Sequence, residues 1–534
     1  MENGSRFAVL RPARAWSNNP TKRVAKLVLF LCVSLAISLS SARTANAAAV
    51  TLTLSSTSGP PTTNLLVSGG GFPASTAVDL YFDTTDVALA VTSATGAFSG
   101  IALKVPAAAV PGTHWVTAVA RGTSGKAAQA SFLVQTNWAQ FQYSALHKGV
   151  NPYENVLSPT TVGSIDLHWS YTTGNAIELS SAAVVNGVLY VGSTDNSLYA
   201  LDASTGALLW KYATGNVIFS SPTVANGVVY VGSYDNNLYA LNAATGALLW
   251  KYSAANSIDS APAVANGVVY FGSFDNNLYA LNASTGTLLW KYTTGNEIIS
   301  SPAVANGVVY VGSEDFNVYA VSASTGALLW KYATGLYVLS SPAVANGVVY
   351  IGSEDNSLYA LNAHNGALLW KYATGSAIFS SPAFANGAVY VGSTDNNLYA
   401  LNAHDGALLW KYPTAFSIYS SPTVANGVVY VGSNDDNIYD LDARTGSLLW
   451  QYTTGNAVAS PPVVANGVVY VGSYDGSLYA FDLSGGMLAK RFRAPARPQP
   501  RLLRPDPNLQ PAQPVTNIPL AGSFATDGES AFHQ

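Results

Sequence analysis

The spacing of eight tyrosines constrains this chain more than any other feature. Tyr190, Tyr230, Tyr270, Tyr310, Tyr350, Tyr390, Tyr430 and Tyr470 stand forty residues apart. A period of that size marks an array of supersecondary units that bury their apolar faces on one another. In the unit beginning at Ser220, Asn226-Gly227 has the chemistry of a two-residue hairpin turn, since both residues tolerate positive φ. The polar turn Tyr234 to Asn237 and then Thr245-Gly246 separate VVYVGS, LYALNA and ALLWKY. Four short strands of Val, Tyr, Leu and Trp make an antiparallel meander, and forty residues per meander is a propeller blade.

The blade's edges agree with this. Pro222, Pro262, Pro302, Pro342, Pro382, Pro422 and Pro462 fall in the first strand, where a missing N–H is tolerated only at an edge. Lys211, Lys251, Lys291, Lys331, Lys371 and Lys411 fall in the fourth, where charge discourages edge-to-edge association. The first strand is therefore expected to line a central channel and the fourth to face out. Eight Trp-bearing fourth strands exist, but the one at Trp169 precedes any complete unit, and Lys490 stands where a last Trp belongs. The ring closes if the strand around Leu167 to Tyr171 completes blade eight; the alternative outer strand is Met487 to Phe492. The fold class expected is all-β: an eight-bladed β-propeller of four-stranded antiparallel blades, preceded by a small Ig-like β-sandwich.

The run Ala240 to Trp250, with Thr245-Gly246 inside it, resembles the tryptophan-docking motif of the PQQ-repeat, or quinoprotein-dehydrogenase-like, propellers. The resemblance covers about 320 residues. It implies that Trp169, Trp210, Trp250, Trp290, Trp330, Trp370, Trp410 and Trp450 pin blade to blade, with Trp210 held between Gly206 and Ala200. Bacterial outer-membrane assembly lipoproteins share this propeller type, and a shared fold does not carry a shared activity.

The flanking segments differ in texture. Residues 1–47 combine a basic stretch, the apolar run Leu27 to Leu39 and Ala45-Asn46-Ala47, the pattern of a secretory signal peptide. Its retention as an uncleaved anchor is the only expected route to a membrane. Cys32, the sole cysteine, lies inside it, so the mature chain has no disulfide. Residues 50–135 alternate short strands with Gly-Pro turns, and Val67 to Phe72, Leu80 to Asp83 and Pro111 to Thr117 resemble bacterial Ig-like domains. Residues 136–164 form a connector whose aromatics are expected to pack on blade eight or one, with His147 a packed or exposed side chain and not a ligand. The propeller spans 165–484, and 485–534 reads as a disordered Pro-rich tail.

Without its first 47 residues the chain keeps 17 basic and 27 acidic side chains. Such a balance disfavours nucleic acid, whose phosphates require clustered Lys and Arg. The Asp series Asp195 to Asp475 recurs at a polar turn, where a carboxylate caps backbone N–H groups; a cation-attracting rim is the sharper alternative. His364 and His404 share an exposed turn position.

The units vary most at two positions that should emerge on one rim. Before the turn Asp they carry Tyr234, Phe274, Glu314, Glu354 and Tyr474; entering the first strand they carry Phe219, Asp259, Phe379 and Tyr419. Loops on a rigid scaffold commonly carry binding, and this rim is the candidate site, with neutral drift as the competing explanation. The function expected is a secreted or cell-surface, non-enzymatic, monomeric scaffold for a protein or glycan partner, with no catalytic residues, metal or cofactor. A PQQ- and Ca²⁺-dependent dehydrogenase is the alternative, set second because blade insertions and a vicinal Cys pair are missing. A structural spacer without a ligand is the third.

Overall fold

The computed structural model describes residues 49–122, 126–485 and 490–515. The expected signal peptide, with Cys32, lies outside the described residues. Within them the chain is all-β, and eight sheets follow one another from Asp166 to Asp482: seven are four-stranded and antiparallel, and the seventh blade gains a fifth strand, Val150–Asn151 of the connector, paired in parallel with Thr423–Ala425. Blade one joins Ala183–Val185, Val188–Ser193, Ser197–Asp202 and Leu208–Ala213. Blade eight takes Val463–Ala465, Val468–Gly472 and Ser477–Asp482 from the end of the array, and its outer strand is Asp166–Thr172 from the beginning. Trp169 pairs with Ala480 in that sheet, so the two ends of the array close the ring by hydrogen bonding.

Local chemistry explains each blade. Asn226 and Gly227 both adopt positive φ, 50° and 77°, as a type I′ hairpin requires. Gly232 ends the second strand where blades approach most closely: a Cβ there would stand 2.4 Å from Ile258 of the next blade. The two inner strands are buried, from Val229 to Leu241, whereas Leu248, Leu249 and Lys251 of the fourth are exposed.

Docking runs forward around the ring. Trp210 lies against Gly246 and donates its indole N–H to the Ala243 carbonyl at 3.0 Å, both in the next blade. Gly206, assigned to Trp210 above, instead receives Trp169, whose indole N–H reaches the Ala203 carbonyl at 3.2 Å. Ala200 is the cross-strand neighbour of Trp210 within its own blade. The indole leans out of its own sheet and therefore meets the following turn, not the preceding one. Trp250, Trp290, Trp330, Trp370 and Trp410 repeat the forward pattern. Trp450 lies against Tyr452 and Phe481.

The connector does not confine itself to blades eight and one. It winds round the channel wall and meets the middle of every first strand. Backbone N–H groups of Val224, Val304, Val344, Phe384 and Val424 donate to carbonyls of Ala139, Ala145, Leu146, Lys148 and Gly149. Trp138 exchanges two such bonds with Val184, and the side chains of Gln140 and Asn151 reach Val264 and Val464. An inner edge strand leaves one face of its backbone unpaired, and the connector supplies the missing partners. Trp138, Gln142 and His147 are buried by this arrangement.

Before the ring, a three-stranded sheet (Thr51–Leu54, Asn64–Gly70, Phe98–Lys104) and a five-stranded sheet ordered Ser58–Gly59, Ala127–Val134, Gly112–Ala120, Ala77–Phe82, Thr85–Val91 share one core that includes Leu65, Leu80, Val116 and Phe132. The expectation of a disordered tail needs correction for residues 490–515. They lie along this sandwich, where Ala512 N–H donates to the Leu89 carbonyl and Val515 N–H to that of Gly100, both at 2.8 Å. Prolines preset an extended backbone, so little further entropy is lost when such a segment finds edge acceptors.

Candidate functional site

Each blade sends two connections to one mouth of the channel, the link into its first strand and the turn between its second and third strands. They touch: the N–H of Tyr234 donates to the Val217 carbonyl at 3.0 Å, and that of Glu314 to the Glu297 carbonyl at 3.0 Å. Beneath them runs a ring of serines. Ser220 Oγ donates to the Ser260 carbonyl at 3.0 Å, Ser420 to Ser460 at 3.1 Å, and Ser460 back to Ser180 at 2.9 Å across the closure. These hydroxyls also accept the N–H of glycines such as Gly232, and so link neighbouring blades just below the mouth.

The structure brings the variable positions together in two aromatic groups. Tyr234 stands edge-on to Phe219 and to Phe274, with ring centroids 5.0 and 5.5 Å away. Across the mouth Phe379 stacks on Tyr419 at 5.0 Å. The acids are distributed between them. Glu314 and Glu354, on adjacent blades, repel one another, and burial and repulsion raise the carboxyl of Glu314; burial alone raises that of Glu354. Tyr474 has its phenol pushed up to about 12 by burial, with Glu178 and Tyr419 adding to it.

Glu178 is the member of this site that the repeat comparison missed. Gly174 to Ile177 align with Gly215 to Ile218, which places Glu178 opposite Phe219 and Asp259, but Leu179 is an extra residue that displaces it from the forty-residue count. Counting forward from Gly174 instead of back from the serines finds it. Its consequence is electrostatic. Asp259 sits partly exposed at the mouth. Withdrawal from water, with the Glu178 charge added, pushes its carboxyl up to about 7. A half-neutral carboxylic acid among aromatic rings is what proton transfer near neutral pH requires.

The other sequence candidates fall elsewhere. Asp235 caps its turn: Oδ1 accepts the Asn237 N–H at 3.1 Å, and Oδ2 accepts the Gly215 N–H at 2.7 Å and the Tyr239 hydroxyl at 2.6 Å. With their lone pairs engaged in this way these carboxylates are structural. His364 and His404 lie on exposed turns. His147 is fully enclosed by the connector, and burial lowers its imidazole to about 3, so it is neutral. Among the described residues no group of three His, Cys, Asp or Glu is arranged to hold a metal, and no helix is long and apolar enough to cross a membrane.

Two family models match parts of the ring. One, described as the β-propeller of a beta-alanine-activating enzyme, matches residues 256–428. The other, described as outer membrane protein assembly factor BamB, matches 161–258 and 414–510. A comparison with curated proteins finds no match. Among solved structures, a europium-containing methanol dehydrogenase aligns at 15% identity over 65% of this chain and 98% of its own, with TM-score 0.57. The quinohemoprotein alcohol dehydrogenase of Comamonas testosteroni aligns at 17% identity over 68% of this chain and 82% of its own, with TM-score 0.58. BamB of Moraxella catarrhalis aligns at 19% identity over 60% and 99%, with TM-score 0.53.

These findings correct the expectation of a non-enzymatic scaffold. Missing blade insertions and a missing vicinal Cys pair put a dehydrogenase second, yet methanol and alcohol dehydrogenases are among the similar structures. The physical reason is that polar and aromatic groups can gather at a mouth without long insertions: Asp259, Glu178 and aromatic rings stand there with one extra residue, Leu179, in a single link. The chain is a β-propeller, parts of whose ring are similar to the BamB family model.

Proposed function

We propose that the protein is a dehydrogenase of the quinoprotein type, with the acidic, aromatic mouth of the channel as its active site and the hydroxyl of an alcohol as its reacting group. The observation that carries this reading is the mouth itself, where Tyr234 stands edge-on to Phe219 and Phe274 and the partly exposed Asp259 has its carboxyl raised to about 7 by burial and by Glu178. At 15 to 17% identity the likeness to dehydrogenases carries the fold, and the chemistry is read from the mouth itself.

The residues present suit a quinone with a divalent cation. Phe219, Tyr234 and Phe274 offer apolar faces to a flat ring system. Glu314 and Glu354, on adjacent blades, are hard oxygen donors whose mutual repulsion a divalent cation relieves. As the described residues hold no three-ligand cluster, such a cation would complete its coordination with oxygens of the cofactor. Bound there, the quinone would supply the two-electron acceptor. Asp259 would take the hydroxyl proton of the substrate, burial with the Glu178 charge beside it would hold its proton affinity near neutrality, and the aromatic rings would orient the substrate and keep water away.

The test is reconstitution of the mature chain with pyrroloquinoline quinone and Ca²⁺, followed by dye-linked alcohol oxidation. Saturable binding with turnover is expected, and Asp259→Asn should lower turnover at least 100-fold, the scale of a lost general base. Failure of the wild-type chain to bind the quinone or turn over would overturn the reading. The match to the assembly-factor model supports a cell-envelope location and a protein contact as well.

A further inference from the structure

The outer face of the five-stranded sheet is built unlike an ordinary solvated sheet face. Along Ala77–Phe82 the residues Val78, Leu80 and Phe82 point into the sandwich core, so Asp79 and Tyr81 point outward. Yet Asp79 is 2% exposed and Tyr81 1%. What covers this side of the sandwich is the segment 494–515, which carries seven prolines and three arginines.

Its contacts are specific. The Arg497 guanidinium lies over the Trp115 ring, 4.5 Å from the centroid, a cation–π arrangement. The same side chain donates through Nε to Gln129 Oε1 at 2.7 Å, while Gln129 Nε2 donates to the Pro498 carbonyl at 2.9 Å. Eight residues further on, Asp506 is held at both ends of its backbone. Its N–H donates to Asp86 Oδ2 at 2.8 Å, and its carbonyl accepts from Arg121 at 3.2 Å, with Arg121 itself braced on Asp79 at 2.6 Å. The segment then adds to the edge strand Thr85–Val91, where Pro511 bridges Leu89 in parallel.

We propose that this face is a peptide-binding site for extended, proline-rich segments bearing arginine, and that residues 494–515 are its resident, tethered occupant. The physics is that of two known modes of peptide recognition used together. A preformed polyproline backbone docks on an aromatic side chain, and a strand is added to an open sheet edge. Trp115 and Gln129 read an arginine followed by proline; Asp86 and Arg121 grip the backbone and carry no side-chain preference. Tethering raises the effective concentration of the chain's own segment, so the site is closed to free peptides until the tail is released.

The test uses the full chain with a specific-protease site inserted after Gly485, and a fluorescent peptide with the sequence of residues 494–515. The uncut chain should bind the peptide at least ten-fold more weakly than the cut one. After cutting, either the tail stays with the protein through gel filtration, or it leaves and the labelled peptide binds saturably. Replacing the peptide's Arg497 equivalent, Arg497→Ala, should weaken binding at least ten-fold, a readout independent of the protein's own folding. In the protein, Trp115→Ala should do the same. A tail that leaves and a peptide that then fails to bind, with the thermal melt retained, would overturn the proposal. So would binding indifferent to Arg497→Ala.

Discussion

Trp169 lies against Gly206. A Cβ built on that glycine would stand 2.7 Å from the indole, and the indole N–H reaches one turn back to Ala203. The strand that carries Trp169 precedes every repeat, yet the contact it makes is the one that Trp210, Trp250, Trp290, Trp330, Trp370 and Trp410 make with the blade ahead. The docking contact is therefore also the lock of the ring.

That lock can be separated from backbone strain. Gly246 and Gly227 both have positive φ, 70° and 77°, but only at Gly246 would a Cβ meet an indole; at Gly227 it would meet nothing. Gly227→Ala should cost about 1 kcal/mol, the conformational cost of a non-glycine residue in a left-handed turn. Gly246→Ala should cost a further 1–3 kcal/mol from overpacking. Denaturant unfolding of the two variants side by side checks the difference.

Removing an indole should matter unequally around the ring. Trp169→Ala is expected to cost about 3–5 kcal/mol, the range for truncating a well-packed aromatic, and to open the closure. Trp450→Ala should cost less, since Trp450 is partly exposed and its contacts to Tyr452 and Phe481 do not join the two ends of the array. Thermal melts, with limited proteolysis to report the opened ring, distinguish the two.

Blade seven contains a buried acid that the other blades lack. Asp440 occupies the position of Ala200 and Ala240, is fully buried, and has no hydrogen-bond partner for either oxygen. Burial holds its carboxyl well above the usual range, and it adds to the upward shift of the Tyr430 phenol beside it. The folded state thus keeps a proton that the unfolded chain releases above about pH 4. Stability contributed at this residue falls as pH rises from there. Asp440→Ala should raise stability at pH 7 by about 1–3 kcal/mol, with the gain shrinking towards pH 4. Melting curves of both proteins between pH 4 and 8 check the sign.

The pH profile of the proposed oxidation follows from Asp259. As base it works ionised, so kcat/KM should rise with an apparent pKa of about 7. Glu178→Gln removes the repelling charge and should move that limb to lower pH, while Glu314→Gln, whose repelling partners are Glu297 and Glu354, should leave it in place. A limb unmoved by Glu178→Gln would show that Asp259 is not the group titrating.

The forty-residue count, the Asn-Gly turns and the positions of Pro and Lys determined the blade, its strand order and the need for a strand before the first repeat to close the ring. These are local signals, written within a few residues of where they act. The variable rim was also legible, because repeats can be compared with one another. Glu178 escaped because one inserted residue, Leu179, broke the count on which that comparison relied.

Tertiary structure decided the rest, and in each case the reason is contact between residues far apart in the chain. Trp210 meets Gly246 and not Gly206 because the indole leans towards the following blade. Asp259 owes its raised carboxyl first to burial at the mouth and then to Glu178, two blades away. The connector finds its place because eight edge strands converge on one axis and leave backbone groups for it to satisfy. The tail, disordered by composition, is ordered from 490 to 515 by a tryptophan, a glutamine and two sheet edges that its own sequence does not contain.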